Sequence, residues 1–538
     1  MGKTLVVENT ALAERLDAFA ALLDLAGSGH YTVRAYRRAA ELIRSTPADV
    51  ATLVRAGRVR ELAGIGPGIE ARLQELVETG ELAELRELEA QALPELVGVA
   101  RLLGLSTKRM RELGHALGIR TLPELREAAA AGRLDSVPGI GPKTAARIES
   151  GLAELSTARP RRGMLLHRAR ALVGEIAEAL GGVAAGDPRR ACDLSTRFAV
   201  VVPAGRLSDV EALPQIVAVL ERDERRVVGV TAGGYPIEVI AAEPERFGTE
   251  LVRATGSPEY VASLGDLPEA ATEVHVYTCT GRPFRPPELR ELHAGDPPPD
   301  LLEQADIRGD LHVHSTASDG KATVEEMGRA AQALGYEYLA ICDHTRNVRV
   351  VPGLDADDLR RQGEEIAAAN EALAPFRILR GSECDILPDG SLDLPDDVLG
   401  ELEWVQISLH AGQRWGAKAL TDRVLEAMRH PAASCLSHPK GRILNHRPEN
   451  ALELDRVFEV ALETGVALEV NGLPDRLDLA AGHVREALAA GVRIVCSTDA
   501  HSVRGLGNME LSVATARRGG APRSAVANTS PLEELLRR

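Results

Sequence analysis

Thiols, lysines and long apolar runs are scarce in this chain, and each shortage excludes something. Six cysteines stand in 538 residues without any CxxC pair, which fits a reducing cytoplasm and argues against a thiolate zinc site. No apolar run approaches the roughly 20 residues of a membrane span. The opening stretch MGKTLVVENTALAERLDAF carries acids where a secretory signal needs an uninterrupted apolar core. Lysine is nearly absent, six Lys against 57 Arg. Abundant Arg beside abundant Ala also follows from a GC-rich coding sequence, so the arginine count alone is no evidence for nucleic acid. Aromatic residues are 3%, but hydrophobic residues reach 44% and charged ones 26%. That balance is globular with ample core and disfavours disordered and fibrous classes. At usual domain sizes the length corresponds to about three or four domains.

The net charge of −16 looks wrong for a nucleic-acid binder, but its distribution matters more. Residues 1–150 hold 20 Lys/Arg and 20 Asp/Glu, so the acid excess lies downstream. An acidic domain that gathers carboxylates around cations can coexist with a neutral one that grips phosphates through backbone groups. Histidines are asymmetric too: five of 14 precede residue 306 and nine follow it. The Pro- and Asp-rich segment 293–306 reads as a linker, and a second break falls near TARPRRG at 157–163. Three blocks result: 1–156 helical, 160–290 mixed, and 306–538 alternating strand and helix.

Helical periodicity runs through the first block, for example at Leu12, Leu16, Phe19 and Leu23. Two turns interrupt it. LAGIGPGIEARL places Gly64, Gly66 and Gly68 at the opening of a helix, and VPGIGPKTAARI places Gly139 and Gly141 likewise, followed by Lys143. A helix start reached through such a turn presents unpaired backbone N–H groups, which bind a phosphate oxygen without reading a base. The pattern resembles the helix-hairpin-helix motif of DNA repair and replication proteins, with ARLLGLSTKRMREL (100–113) a third, degenerate copy. A plain turn between packed helices is the alternative for one such turn; two copies, each with a basic helix start, favour DNA backbone binding.

Seven short apolar runs in the last block each precede a helical stretch: RGDLHV, EYLAIC, FRILRG, WVQISL, ASCLS, VALEV and RIVCS. Such alternation predicts parallel βα units and a closed or nearly closed barrel, whose strand ends share one rim. His312, His314, Asp319, His344, Glu383, His410, His438, Asp499 and His501 all fall at or just after those ends. Nine imidazoles and carboxylates on one rim are tolerable together only around cations. Imidazole plus carboxylate without Cys suits Mn²⁺, Zn²⁺ or Fe²⁺. Cys342, Cys384 and Cys496 lie beside these positions and read as core. Arg346, Arg442 and Arg447 fall in loops on the same rim, as candidate ligands of substrate phosphates or as solvated loop charges.

The stretches DLHVHSTASDG, AICDHT, GSECDILPDG, ISLHAG, LSHPKGR, LEVNGLPDRLDL and STDAHS resemble the PHP (polymerase and histidinol phosphatase) domain. They especially resemble the version at the C-terminus of bacterial family X DNA polymerases. All nine positions of that family's metal site are present. The resemblance implies up to three divalent ions, Mn²⁺ or Zn²⁺. His312, His314, Glu383 and Asp499 would hold the first; Glu383, His410 and His438 the second; Asp319, His344 and His501 the third. It implies phosphoester hydrolysis of the 3′–5′ exonuclease kind, with His312, His314, Glu383 and Asp499 at the reacting centre.

A polymerase palm then belongs at 160–290, and AAGDPRRACDLSTRFAVVVP (184–203) occupies its place. Gly186, Arg189 and Arg190 keep the family frame. The two metal-holding aspartates of relatives fall on Arg197 and Ala199, the phosphate-binding Ser on Asp187, and a third carboxylate on Glu238. Tyr260 and Val261 replace a His-Asn pair. Two-metal nucleotidyl transfer needs carboxylates there, so Mg²⁺ binding and polymerisation are not expected. Asp193 stands alone, four residues early. Arg72 occupies the place of a Schiff-base lysine, and a guanidinium cannot serve; among Lys3, Lys108 and Lys143 none is expected to be a nucleophile.

The expected architecture is multidomain α and α/β. A helical lyase-like domain covers 1–85, a fingers-like helix-hairpin-helix domain 86–156, and a small α+β nucleotidyltransferase-like palm and thumb 160–290. A linker at 291–305 leads to a (β/α)7 PHP barrel over 306–538. The expected function is a cytoplasmic DNA-repair nuclease that binds DNA by its backbone. Alternatives are a small-molecule phosphatase of the histidinol-phosphatase type, a DNA-binding scaffold without activity, and an active but divergent polymerase.

Overall fold

The structure, a computed structural model, describes residues 9–26, 30–45, 50–62, 64–80, 82–84, 93–158, 162–291, 296–348 and 351–537. The boundary near 85, part of the break at 157–163, Lys3 and part of the 291–305 linker lie outside them. Two compact units emerge: residues 1–161 with 204–241, and residues 162–203 with 242–538. The block expected at 160–290 is thus shared between them.

In the first unit, helices Asn9–Ala26, His30–Ser45, Val50–Arg55 and Pro67–Thr79 enclose Leu12, Leu16, Phe19, Val33, Ile43 and Leu73. A second helical group, Pro94–Ala100, Thr107–Leu117, Leu122–Ala130 and Pro142–Ala153, shares its core with an antiparallel meander. The meander strands are Ala218–Arg222, Arg226–Val230 and Pro236–Ala242, and they contribute Leu220, Val228 and Val230. Gly98 allows that approach, since a Cβ there would lie 2.7 Å from Val217 Cγ2.

The second unit begins with helix Leu166–Leu180 and the antiparallel pair Val183–Gly186 and Phe198–Pro203. Helices Phe247–Thr255, Pro258–Leu264 and Glu273–Cys279 follow. Then come seven parallel strands in sequential order: β1 (Gly309–Val313), β2 (Tyr338–Ile341), β3 (Arg377–Asp385), β4 (Trp404–Ser408), β5 (Cys435–Leu436), β6 (Ala467–Asn471) and β7 (Ile494–Ser497). A Val313–Ala500 bridge and a hydrogen bond from Thr498 N to Asp310 (3.2 Å) join the first strand to the last, nearly closing the barrel. All seven runs expected as strands are strands. Capping boxes at Thr323/Glu326 and Asp355/Asp358 start two of the covering helices where the sequence turns from strand to helix pattern.

Leu311, Tyr338, Trp404 and Val495, near the strand starts, pack with Ala527 and Leu535 of the C-terminal segment. Apolar filling at that end leaves polar side chains to the other. Cys342, Cys384 and Cys496 are fully buried in apolar clusters, and burial pushes each thiol up, Cys496 to about 12. Among the described residues no helix is long and apolar enough to cross a membrane.

Candidate metal centre

All nine imidazole and carboxylate positions meet at the C-terminal mouth of the barrel. β1 delivers His312, the segment after it His314 and Asp319, β3 delivers Glu383, and the segments after β2, β4, β5 and β7 supply the rest. Glu383 is the hub. Its Oε2 lies 2.8 Å from His344 Nδ1, 3.5 Å from His312 Nε2 and 3.7 Å from His314 Nε2. Its Oε1 lies 3.0 Å from His438 Nε2 and 3.5 Å from His410 Nε2. Asp499 Oδ1 is 3.1 Å from His314 Nε2, and Asp319 Oδ2 is 3.2 Å from His501 Nε2. Three overlapping groups have their ligand atoms within 4.8 Å of one another: His312, His314 and Asp499; His344, Glu383 and His410; and His314, Asp319, His344 and His501.

Two of these residues are held in the left-handed region, His438 at φ 25° and Asp499 at φ 53°. Non-glycine residues stay there only where the surroundings over-determine them, as functional sites often do.

The donor set fits divalent cations. His312 Nε2, His314 Nδ1 and His438 Nδ1 are buried and make no hydrogen bond, while His344 Nδ1 has the Glu383 carboxylate 2.8 Å away. Each such orphan costs about 1–3 kcal/mol unless something outside the chain completes it. His312 shows the pattern most clearly: Nδ1 is 2.6 Å from Glu469 Oε1, while Nε2 faces Glu383 and Asp499 unpaired. A carboxylate that fixes one ring nitrogen orients the other toward a cation.

With protein charges alone, burial opposes ionisation throughout the site, and neighbouring charges decide. Burial would raise Glu383 and Asp499, but the surrounding histidines hold both well below the usual carboxylate range. Asp319 is likewise lowered to about 2 against burial, mainly by its bond to His501. His312 and His501 move up despite burial, His312 through Glu469, Asp499 and Glu383, and His501 to about 9 through Asp319. His314 goes to about 4, driven by burial and by His344. The acids are thus ionised and accept cations, and a bound cation would displace the protons that His312 and His501 hold in its absence.

Several supporting residues escaped the sequence reading. Glu469 accepts from His312, from His438 N (2.6 Å) and from Ser437 Oγ (3.0 Å), and also from Ser497 Oγ. Asn471 Nδ2 donates to Asp499 Oδ2 at 3.0 Å, and Asp385 accepts from His410 N at 3.1 Å. Asp343 ties down the loop bearing Asp319, accepting from Ser315 N at 2.8 Å and from the Ser318 hydroxyl. An acid inside an otherwise apolar strand run, as in VALEV, was the available signal for Glu469.

The rim arginines divide. Arg346 is exposed and paired with Asp355 at 2.6 Å. Arg447 is exposed, donates to the Gly441 carbonyl at 2.8 Å, and lies in the field of Arg476. Arg442 departs from the expectation of a phosphate ligand: it is 8% exposed and spends its guanidinium on Asp193 Oδ2 (2.7 Å) and the carbonyls of Arg476 and Leu477. Arg476, not singled out from the sequence, has its Nε 4.0 Å from Asp499 Oδ2 at the site's edge.

In the palm-like segment, Ala199 is buried and Arg197 donates Nη1 to the Gly256 carbonyl at 3.2 Å. Asp187 accepts the N–H groups of Thr196 and Arg197, both at 2.8 Å, and pairs with buried Arg190 at 2.6 Å. Arg189 and Arg290 both pair with Glu273. The arginines of the frame are therefore neutralised internally. Glu238 pairs with Arg226 at 3.0 Å, and Arg72 with Glu75 and Glu84.

Both glycine hairpins form as expected locally. Gly64 (φ 105°) and Gly139 (φ 81°) make the left-handed turn, Ile65 and Ile140 plug into the core, and Gly66 and Gly141 begin helices without side-chain caps. Gly68 and Lys143 lie exposed in those first turns. The degenerate copy forms the same turn at Gly104 (φ 69°), but there Ser106 caps the helix by accepting from Arg109 N at 3.2 Å.

Comparisons with known proteins agree with this layout. Residues 7–82 match a helix-hairpin-helix domain, 99–154 a SAM-like helix-hairpin-helix tandem, and 310–471 a PHP domain. The chain is 30% identical to the DNA polymerase/3′-5′ exonuclease PolX of Bacillus subtilis, with 97% of each chain covered. A probable phosphatase of Acetivibrio thermocellus is 28% identical over 43% of this chain and 95% of its own. One from Syntrophotalea carbinolica is 31% identical over 30% and 64%.

Proposed function

The chain belongs to the PolX family of DNA polymerase/3′-5′ exonucleases, and from that premise we propose that it is a metal-dependent 3′–5′ exonuclease acting in DNA repair, with a palm that no longer polymerises. The observation that carries this reading is the convergence of nine imidazole and carboxylate groups at one barrel mouth, five of the imidazoles against Glu383, with buried nitrogens left unpaired. In the proposed assignment His312, His314, Glu383 and Asp499 hold one cation, Glu383, His410 and His438 a second, and Asp319, His344 and His501 a third. Mn²⁺ or Zn²⁺ suits these ligands. Bound divalent ions supply Lewis acidity toward a phosphoryl oxygen and acidify the attacking water. The chain supplies the rest: Glu469 and Asp385 keep His312 and His410 aimed inward, Asn471 orients Asp499, and Arg476 and Arg447 present guanidinium groups to the phosphodiester.

DNA is held through its backbone by the hairpins at Gly64, Gly66, Gly68, Gly139, Gly141 and Lys143. Polymerisation fails because Arg197 and Ala199 offer no carboxylate for Mg²⁺, and Asp187 already occupies the N–H groups of Thr196 and Arg197. The domains assigned from the sequence serve this reading: helical grip at 1–85 and 86–156, palm remnant at 160–290, hydrolase at 306–538. The phosphatase relatives, which cover the barrel region, favour a second reading, hydrolysis of small phosphate monoesters. Assaying the full chain on labelled 3′-recessed DNA and on an aryl phosphate separates the two. The exonuclease reading predicts stepwise loss of 3′ nucleotides with weak aryl phosphate turnover; rapid aryl phosphate turnover with intact DNA would overturn it.

A further inference from the structure

We infer that the palm-derived segment 162–203 is a positioning element for the metal centre: through Asp193 and Arg442 it holds the loop that presents Arg476. This rests on the nuclease reading above and gives a role to a segment whose own chemistry is gone.

Two rim loops carry the relevant side of the mouth, the one after β5 with His438 and the one after β6 with Arg476. Arg442 knots them together. Its Nε donates to the Arg476 carbonyl at 3.0 Å and its Nη2 to the Leu477 carbonyl. The same Nη2 pairs with Asp193 Oδ2 at 2.7 Å. One buried guanidinium therefore fixes the backbone of the residue whose side chain reaches within 4.0 Å of Asp499.

Both loops need an external hold. Leu477 sits at φ 46° and Asn445 at φ 64°, both left-handed and neither glycine. Such residues persist only where their surroundings over-determine them. Here the palm-derived segment provides the surroundings. Leu477 is fully buried in a cluster with Leu166 and Ala191 of that segment, and Asn445 Nδ2 donates to the Gly163 carbonyl at 3.0 Å. Arg518 braces Asp193 from the other side, Nη1 to Oδ1 at 3.7 Å, and itself pairs with Glu291 at 2.8 Å.

Without the Asp193 carboxylate, Arg442 loses its 2.7 Å partner and keeps Glu449, 3.8 Å away, and the field of buried Asp478. A buried guanidinium without its partner seeks water, and Arg442 would then release the two loop carbonyls. Arg476 loses its fixed distance from Asp499. Among the described residues Asp193 pairs with Arg442 and Arg518 and with none of the proposed metal ligands, so it positions and does not catalyse.

The test is a double-mutant cycle in the full chain with Asp193→Asn, Arg476→Ala and the pair, measured on labelled 3′-recessed DNA. A misplacement of about 1 Å costs on the order of 100-fold, so Asp193→Asn should lower kcat/KM about 10-fold and Arg476→Ala about 100-fold. The pair should be no worse than Arg476→Ala alone, and metal content should stay at the wild-type value in all three. Asp193→Asn keeps the side chain's shape, so the cycle stands even if Asp193→Ala does not fold. Multiplying effects, a wild-type rate for Asp193→Asn, or metal loss in it would each overturn the positioning role while leaving the nuclease intact. A wild-type chain that does not degrade this DNA would overturn both.

Discussion

Replacing Glu469 by Gln tests the metal centre through a residue that is not itself a proposed ligand. The carboxylate accepts hydrogen bonds from the His312 ring, the His438 backbone and the hydroxyls of Ser437 and Ser497, and it is fully buried. An amide of the same size keeps one oxygen and turns the other acceptor into a donor. Whichever way it faces, an N–H opposes either the His312 Nδ1–H or the His438 N–H. A buried donor left without an acceptor costs about 1–3 kcal/mol, which corresponds to about 5- to 150-fold in an equilibrium constant. The strain falls on two imidazoles assigned to different cations, so affinity for Mn²⁺ should drop about 10- to 100-fold, as for other residues that orient ligands. Isothermal titration of metal-stripped protein with Mn²⁺ reads this directly, and exonuclease activity at limiting Mn²⁺ should fall in parallel. Excess Mn²⁺ should restore most of the rate. Unchanged affinity, or a loss of activity that no metal concentration rescues, would refute the orienting role.

Further perturbations probe other parts of the chain. Gly64→Ala meets no neighbouring atom but must sit at φ 105°, so it should weaken DNA binding several-fold in a fluorescence-anisotropy titration and leave aryl phosphate hydrolysis unchanged. Primer extension with deoxynucleotides and Mg²⁺ should be undetectable, and extension that disappears in Glu238→Ala would contradict the palm assignment. Asp187→Ala strips buried Arg190 of its 2.6 Å partner; breaking a buried pair costs about 3–5 kcal/mol, seen as a lower melting temperature. His483 is bonded at 2.9 Å to both Glu449 and Glu486, and chiefly the Glu449 bond raises its pKa above 6.5. Its stabilising contribution is complete below the unfolded value, about 6.5, and vanishes as pH climbs through the folded one. The melting-temperature gap between wild type and His483→Ala should therefore be widest in mild acid and close in alkali; a gap that widens with pH counts against the assignment.

Much of the barrel was legible because its chemistry leaves marks at fixed places. Strand ends must carry the polar groups of a βα barrel, so His312, His314, Glu383 and Asp499 stood out against apolar runs, and closure of seven strands brings them together. Glu469 and Arg476 were not legible. The first sits within a strand, where only the closed barrel puts it against His312, and the second owes its reach to a turn at Leu477 that no local pattern announces. Arg442 misled for a related reason: a loop position on the rim does not say which way a long side chain turns, and this one turns back to Asp193. Asp187 stood in the sequence where relatives carry a phosphate-binding Ser. The structure adds that it is buried and fills the backbone donors itself. The hairpins were readable because only glycine takes φ near 81° or 105° without strain.

The account stands most directly on Asp499→Ala in the full chain, assayed for bound metal, DNA affinity and 3′-end degradation side by side. Degradation should fall by at least a thousand-fold, on the order of the loss seen when a reacting-centre group is removed. Metal content should drop, and DNA affinity should stay near the wild-type value, because the gripping hairpins belong to a different part of the chain. Undiminished degradation of DNA by this variant would contradict the assignment of the barrel mouth as the hydrolytic centre.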